Sequence, residues 1–150
     1  MSKAATESTP CRGYAAADAH SALAPHVFTR RALRDNDVRI DIRYCGVCHS
    51  DLHQARNDWR NTVYPCIPGH EIVGQVAAAG PSAKRFKVGD WVAVGCLVDS
   101  CRECGECKAG REVFCQKGAT LTYNGKDRQT GDITFGGYSS HIVVRDEFVL

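Results

Sequence analysis

The chain has 150 residues, an apolar fraction of 43%, a charged fraction of 24% and a net charge of +2 with histidine neutral. This composition is ordinary for one globular domain, and no stretch approaches the ~18 to 20 apolar residues of a membrane span. Two short basic clusters occur, Arg30-Arg31 with Arg34 and Lys84-Arg85 with Lys87. Acidic residues are interleaved throughout the chain, so we expect these clusters to be solvated and do not expect a nucleic acid partner.

The predicted elements are mostly strands. The clearest is Val38–Tyr44, where apolar and charged residues alternate with the period of two of a half-buried strand. A short helix is predicted over Ser50–Asn57, with Ser50 as its cap and Asp51 favourably placed in its first turn. Further strands separated by glycine-containing turns are predicted at Ile72–Ala77, Trp91–Val94 and Ile142–Val144. The polar stretch Gly118–Phe135 is expected to be an exposed loop.

Together these elements predict a mainly β, barrel-like domain with two cysteine-rich loops. The sequence contains neither G-x-G-x-x-G after a strand nor G-x-x-x-x-G-K-[ST], so we expect no nucleotide phosphate to bind here. The last residues, Phe148-Val149-Leu150, are apolar, and we expect the chain to be part of something longer.

The nine cysteines call for a chemical explanation. Residues Met1 to Pro10 lack the apolar run of a secretory signal, so we expect a cytoplasmic protein. That compartment keeps thiols reduced, and an odd number of cysteines also argues against a disulfide framework. Metal ligation or thiol chemistry is the better interpretation.

Four cysteines follow the spacing C-x2-C-x2-C-x7-C, at Cys101, Cys104, Cys107 and Cys115. Zn²⁺ favours a closed tetrahedron of thiolates, and two-residue gaps let a tight loop turn its sulfurs inward, so we predict a structural zinc site. An iron–sulfur cluster is the main alternative, but the ferredoxin motif continues x3-C-P, whereas here the fourth cysteine follows seven residues and precedes Gln116. A zinc ribbon fits less well, because its two C-x2-C pairs are ~15 to 20 residues apart.

A second group of candidate ligands lies upstream. Cys48 and His70 come from separate segments, and a cysteine with a histidine is typical of an open catalytic zinc site. The open position would take a substrate oxygen and polarise it. Asp51 could orient His70, while Ser50 and His53 could pass a proton away from an alcohol.

Plainer interpretations of these residues stay open. Ser50 could only cap the helix, Asp51 could only favour the helix dipole, and His53 could only lie on the solvated face. Cys45-x2-Cys48 could be a redox pair, although no βαβ pattern accompanies it.

Five motifs in order carry a resemblance to a known family. G-V-C-H-S-D-L-H, P-G-H-E-I-V-G, V-G-D-W-V, the cysteine lobe and G-G-Y-S resemble the zinc-dependent medium-chain alcohol dehydrogenases. The run Val94–Cys101 is similar to the cinnamyl alcohol dehydrogenase branch, which includes broad-range bacterial aldehyde reductases. The resemblance covers the chain from Gly13 onward. It implies a GroES-like β-barrel with short helices and a cysteine-rich zinc lobe, and a Rossmann domain that is absent from this chain.

The resemblance also implies roles for individual residues. Cys48, His70 and a cysteine beyond the chain's end match the ligands of the catalytic zinc. Glu71 matches a glutamate beside that zinc, which takes the open position between turnovers. Asp51 matches the carboxylate that supports the histidine ligand.

Ser50 and His53 match the proton relay of the family, in which a hydroxyl, the cofactor ribose and an imidazole carry away the alcohol proton. Trp59 and Cys96 fall where the family lines its substrate cleft. Cys45 matches no ligand position, and we interpret it as structural.

The implied reaction is reversible hydride transfer from a primary alcohol, which can be aromatic, to NADP⁺. The implied metals are two zinc ions, one catalytic and one structural. Residues 1–150 would form the N-terminal portion of the zinc-binding catalytic domain, inactive alone, within a homodimer formed through the missing domain. The resemblance implies small alcohols or aldehydes as partners. It implies no binding to a membrane or to nucleic acid. The alternatives are a stand-alone structural zinc-binding module without catalysis and an iron–sulfur electron carrier.

Overall fold

The computed structural model of the chain describes residues 7–150, so that most of the segment Met1 to Pro10 lies outside it. The strands of the described part are β1 (Thr9–Ala15), β2 (Ala24–Arg30), β3 (Asp37–Cys45), β4 (Ile72–Ala79), β5 (Trp91–Val94), β6 (Leu97–Asp99), β7 (Thr120–Leu121) and β8 (His141–Arg145). Its helices are α1 (His49–Ala55), α2 (Gly105–Lys108) and two 3₁₀ turns at Glu112–Phe114 and Asp146–Phe148. None of these helices has the length and apolarity needed to cross a bilayer.

A four-stranded antiparallel sheet in the order β5-β4-β3-β8 forms the centre of the molecule. The strand predicted over Val38–Tyr44 is confirmed, and Val38 and Ile40 are completely buried as the alternation predicts. Tyr44, which belongs to the same apolar set, is exposed instead, because the pairing register with β4 shifts between Ile42 and Tyr44. Burial of aliphatic side chains from every strand of the sheet drives its assembly. The buried core consists of Val38, Ile40, Ile72, Val76, Val92, Val94, Ile142, Val144 and Val149.

Four strands lie outside the predicted set. β1 and β2 form an antiparallel ribbon from Thr9↔Arg30 to Ala15↔Ala24, and β6 pairs with β7 in a second one. Prolines and a glycine within β1 and β2 obscure the alternation that identifies strands in a sequence. Proline is tolerated there because edge strands do not need every backbone N–H for the ladder.

Helix α1 is shifted from its predicted position. It spans His49–Ala55 with Cys48 as the N-cap, so the prediction that Ser50 caps the helix is wrong. The Asp51 carboxylate accepts a hydrogen bond of 2.9 Å from the Cys48 backbone N–H, which satisfies one of the free donors at the start of the helix. The chain leaves the helix at Asn57, whose φ of 58° is left-handed.

The stretch Gly118–Phe135 is only partly the exposed loop that its polarity predicts. Thr120, Thr122 and Tyr123 within it are buried. The Thr122 N–H donates to the Cys96 carbonyl over 3.0 Å, so the segment is bonded to the end of β5 and the start of β6. Backbone pairing and a buried aromatic ring therefore outweigh the local polar composition.

The expectation that the basic cluster of Arg30 is solvated is also wrong. Arg30 is 9% exposed, and its guanidinium donates to the carbonyls of Phe135, Gly136 and His141 over 2.7, 2.9 and 3.1 Å. It also donates to Ser139 Oγ over 3.0 Å. Burial lowers the pKa of Arg30 to about 10, which still leaves it charged at neutral pH. The planar fork of donors suits several carbonyls that lie close together.

We predict that Arg30→Met lowers the free energy of unfolding by about 2–5 kcal/mol, because it leaves several buried carbonyls without donors. Urea unfolding followed by circular dichroism measures the change. Arg12→Met, at an exposed position of β1, is the control and should change the stability little. Equal effects of the two substitutions would show that the buried hydrogen bonds of Arg30 contribute nothing.

Candidate metal centres

The four cysteines of the lobe converge on one point. The sulfurs of Cys101, Cys104, Cys107 and Cys115 all lie within 4.8 Å of one another. The Sγ atoms of Cys101 and Cys107 are 3.8 Å apart. A tetrahedron with Zn–S bonds of ~2.3 Å has S–S edges of about 3.8 Å, so the sulfur positions fit a zinc ion.

Local backbone structure produces this convergence. Cys104 lies at the N-cap of α2 and Cys107 lies inside that helix, while Gly110 reverses the chain with a φ of 72°. The 3₁₀ turn Glu112–Phe114 then returns Cys115 to the first ligand, where the Cys101 N–H donates to Cys115 Sγ over 3.4 Å.

The same backbone favours a thiolate at Cys104. N–H groups of Cys107 and Gln116 point at the sulfur of Cys104 and lower its pKa to about 6. Metal-binding cysteines must be deprotonated, and the backbone N–H groups favour this form at Cys104.

The second centre combines three kinds of donor atom. One sulfur, one nitrogen and one oxygen ligand atom of Cys48, His70 and Glu71 lie within 4.8 Å of one another. Cys48 is the N-cap of α1, and His70 and Glu71 directly precede β4. Cys48 and His70 are half-buried and Glu71 is exposed, whereas Cys107 and Cys115 of the lobe are buried, so this site is more open to solvent than the lobe. A mixed set of donors with an accessible side is typical of catalytic zinc.

A glycine brings the two segments of this centre together. The Gly46 N–H donates to the Glu71 carbonyl over 2.9 Å. A Cβ atom on residue 46 would lie 2.2 Å from Glu71 Oε2, so any other residue would displace the carboxylate. Glycine at this position therefore sets where Glu71 lies relative to Cys48.

Asp51 connects the same two segments from the buried side. Its side chain is 3% exposed, and its carboxylate accepts hydrogen bonds of 2.9 Å from the backbone N–H groups of Cys48 and Gly69. Since Gly69 directly precedes His70, the carboxylate acts on the backbone next to both ligands. The predicted role of Asp51 was to orient the imidazole of His70 directly. Among the described residues, its carboxylate instead bonds these two amides and the hydroxyl of Tyr138.

The predicted relay residues lie on α1. Ser50 Oγ is 2.9 Å from Cys48 Sγ, beside the second centre. His53 Nδ1 is 2.7 Å from Asp58 Oδ2, and the His53 side chain is 41% exposed. Ser50 and His53 are one helical turn apart and share a face of α1. The structure thus places Ser50 at the site and His53 one turn further along α1, with its side chain partly exposed.

Two further predicted residues lie near these elements. Trp59 is 51% exposed, and its ring is 5.7 Å from that of His53. Cys96 is exposed as a residue, but its sulfur is partly covered. This partial burial, together with the nearby Cys48 and Glu71, raises the pKa of the Cys96 thiol.

Cys45 differs from the candidate ligands. A Cβ atom on either Gly69 or Gly137 would lie 2.8 Å from its sulfur, so the thiol is packed against both glycines. Burial raises the pKa of Cys45 to about 11, which keeps it a neutral thiol. This environment supports the interpretation of Cys45 as structural.

Two tyrosines at the second centre escaped prediction. The Tyr123 ring is stacked on that of His70, with centroids 5.3 Å apart and an interplanar angle of 18°. The Tyr138 hydroxyl donates to Asp51 Oδ2 over 2.9 Å. Tyr138 lies within the G-G-Y-S motif and was available as a signal, whereas Tyr123 lies in the stretch whose polarity suggests an exposed loop.

Comparison with known proteins supplies the family. Residues 34–150 match the model of the alcohol dehydrogenase GroES-like domain. The probable cinnamyl alcohol dehydrogenase 6 of Arabidopsis thaliana is 46% identical over 144 residues, which cover 96% of this chain and 39% of that protein. Aldehyde reductase YahK of Escherichia coli is 53% identical over 128 residues, covering 85% of this chain and 36% of that protein.

A solved structure agrees with these relatives. The structure of the cinnamyl alcohol dehydrogenase of Helicobacter pylori complexed with NADP(H) superposes with a TM-score of 0.92 at 42% identity, covering 95% of this chain and 41% of that one. The chain spans about two fifths of the length of the relatives that it matches. The predicted GroES-like fold is confirmed, and the chain belongs to the alcohol dehydrogenase GroES-like domain family, in its cinnamyl alcohol dehydrogenase-like branch.

Proposed function

We propose that this chain is the substrate-activating part of a zinc-dependent alcohol dehydrogenase that transfers a hydride between a primary alcohol, aromatic ones included, and NADP. The observation that carries the proposal is the pairing of two unlike centres, an open one of Cys48, His70 and Glu71 and a closed one of four cysteines. The names of the relatives support the reaction class, and the NADP(H) complex of the Helicobacter pylori relative supports the cofactor.

We infer that residues 1–150 are the N-terminal portion of the catalytic domain, and that the nucleotide-binding domain lies elsewhere in a longer protein. The coverage of only 36–41% of the relatives supports this inference. The third ligand of the catalytic centre and the contacts of a homodimer would then also lie outside this chain. A cytoplasmic location stays a prediction.

Cys48 and His70 would hold the catalytic zinc, with Glu71 able to occupy its open position. When bound, zinc supplies a Lewis acid that lowers the pKa of an alcohol hydroxyl. The hydroxyl of Ser50, beside Cys48, is placed to accept the proton of the alcohol, and His53 is placed to release a proton to water. The Asp58 carboxylate, 2.7 Å from Nδ1, would hold the imidazole of His53 in place during these steps.

Substrate specificity would depend on the exposed side of the same centre. The Trp59 ring near His53 offers an aromatic face, which suits an aromatic alcohol. Cys96, whose charge environment includes Cys48 and Glu71, would lie on another side of the substrate.

The four-cysteine centre would hold a structural zinc. Four thiolates would fill all positions of a tetrahedral zinc, and Cys107 and Cys115 are buried, so no position would be left for a substrate. Zinc there would fix a segment with little regular structure beyond α2 and one 3₁₀ turn.

We predict two zinc ions per chain in the full-length protein and one in Cys48→Ser, because that substitution removes a ligand of the open centre alone. Cys45→Ser is the matched control and should keep both ions, since the Cys45 thiol is packed and neutral. Metal analysis by mass spectrometry measures the content. A single zinc in the wild type would favour the stand-alone zinc module, and iron with visible absorbance would favour the iron–sulfur carrier.

We predict that the full-length protein oxidises NADPH with an aromatic aldehyde and that Ser50→Ala lowers kcat by ~100-fold, because a proton acceptor at the site is lost. Ser82→Ala, at an exposed turn position, should leave kcat unchanged. The 150-residue chain alone should give no turnover. Activity of this chain alone would contradict the proposed division between two domains.

We predict that Cys107→Ser lowers the melting temperature of the full-length protein by at least ~4 °C, because the structural zinc loses a buried ligand. Cys96→Ser, at an exposed thiol, should shift it by less than about 1 °C. Differential scanning calorimetry before and after treatment with a chelator separates the contribution of the metal. Equal melting temperatures of Cys107→Ser and the wild type would exclude a structural role for this centre.

A further inference from the structure

The reaction proposed above makes no use of Tyr138, although its hydroxyl reaches the buried side of the open centre. Tyr138 lies between the Gly136-Gly137 turn and β8, and its hydroxyl donates to Asp51 Oδ2 over 2.9 Å. The same oxygen accepts the Cys48 N–H, while Oδ1 accepts the Gly69 N–H. Three donors from three segments therefore hold one carboxylate.

The two oxygens of Asp51 have different tasks. Oδ2 is bonded to the amide of one candidate ligand, Cys48, and Oδ1 to the amide that precedes the other, His70. Rotation of the carboxylate would break both contacts at once, and the relative position of the two ligands would no longer be fixed. The Tyr138 hydroxyl opposes this rotation by bonding a carboxylate that is only 3% exposed, where an unpaired oxygen is costly.

Tyr138 is itself held against the segment that leads to His70. Its N–H donates to the Pro68 carbonyl over 3.0 Å, and the Gly137 N–H donates to the Gly69 carbonyl over 2.8 Å. A Cβ atom on Gly69 would lie 2.8 Å from the Tyr138 nitrogen, so the two backbones are in close contact.

Arg30 fixes the same turn from the opposite side. Its guanidinium donates to the Gly136 carbonyl over 2.9 Å and to Ser139 Oγ over 3.0 Å. The residues on both sides of Tyr138 are thus bonded to β2, and the hydroxyl has a defined position relative to Asp51.

We propose that Tyr138 is a positioning residue of the open metal centre: by holding the Asp51 carboxylate, its hydroxyl sets the spacing of Cys48 and His70 and with it the affinity for zinc. This inference rests on the function proposed above, because it assumes that Cys48 and His70 bind a metal. A purely structural role of Tyr138 would instead lower the stability of the whole domain and leave the relative affinities of the two centres unchanged.

The test compares Tyr138→Phe, which removes the hydroxyl and keeps the ring, with the wild type in the full-length protein. Competition with a chromogenic chelator measures zinc binding to each centre, and the absorption spectrum of the cobalt-substituted protein reports the geometry of the open centre. We expect about 10-fold weaker zinc binding at the open centre and an altered cobalt spectrum, with the affinity of the four-cysteine lobe unchanged. Tyr44→Phe, at an exposed position of β3, is the control and should change none of these quantities.

A second variant tests whether Tyr138 acts through Asp51. Asp51→Asn should weaken zinc binding at least as much as Tyr138→Phe, and the double variant should be no worse than Asp51→Asn alone. Additive losses would overturn the proposal, as would zinc affinity of Tyr138→Phe within twofold of the wild type, or equal losses at both centres. If the wild type binds one zinc only, the proposed function fails together with this inference; if it binds two and Tyr138→Phe is unchanged, this inference alone fails.

Discussion

The buried carboxylate of Asp51 is the contact on which the open centre depends. It lies in the first turn of α1, yet its partners are the N-cap of that helix, the segment before β4 and a tyrosine before β8. A charge that is 3% exposed is stable only when hydrogen-bond donors surround it. Two of its three donors are backbone N–H groups at or next to the candidate ligands Cys48 and His70, so the carboxylate fixes the position of one ligand relative to the other.

The two metal centres differ in how the chain builds them. All four sulfurs of the lobe come from Cys101–Cys115, so tight turns and backbone N–H groups suffice to bring them together. In the open centre, Cys48 and His70 are 22 positions apart, and they meet because β3 and β4 are neighbours in the central sheet. The lobe is therefore assembled within one short segment, whereas the open centre requires the sheet.

This difference explains what the sequence could predict. The lobe was predictable from its spacing, and β3, β4, β5 and β8 from alternating apolar residues that now form the core. β1 and β2 were not, because their prolines and glycine hide the pattern and their pairing with each other decides the structure. The cap of α1 was misassigned to Ser50, since Cys48 is an unusual cap whose position depends on the Asp51 carboxylate. The roles of Arg30, Tyr123 and Tyr138 depend on distant segments, which no local pattern reveals.

The placement of the ligands at the ends of elements has a functional consequence. Cys48 lies at the start of α1 and His70 just before β4, so both are held by rigid elements while their side chains remain half-buried. Side chains inside the sheet would be sealed from a substrate, and side chains on a long loop would not keep their spacing. Asp51 and Tyr138 stabilise these ends from the buried side, and Glu71 and Trp59 leave the other side exposed. A small molecule that approaches from the exposed side therefore reaches the centre without disturbing the contacts that hold it together.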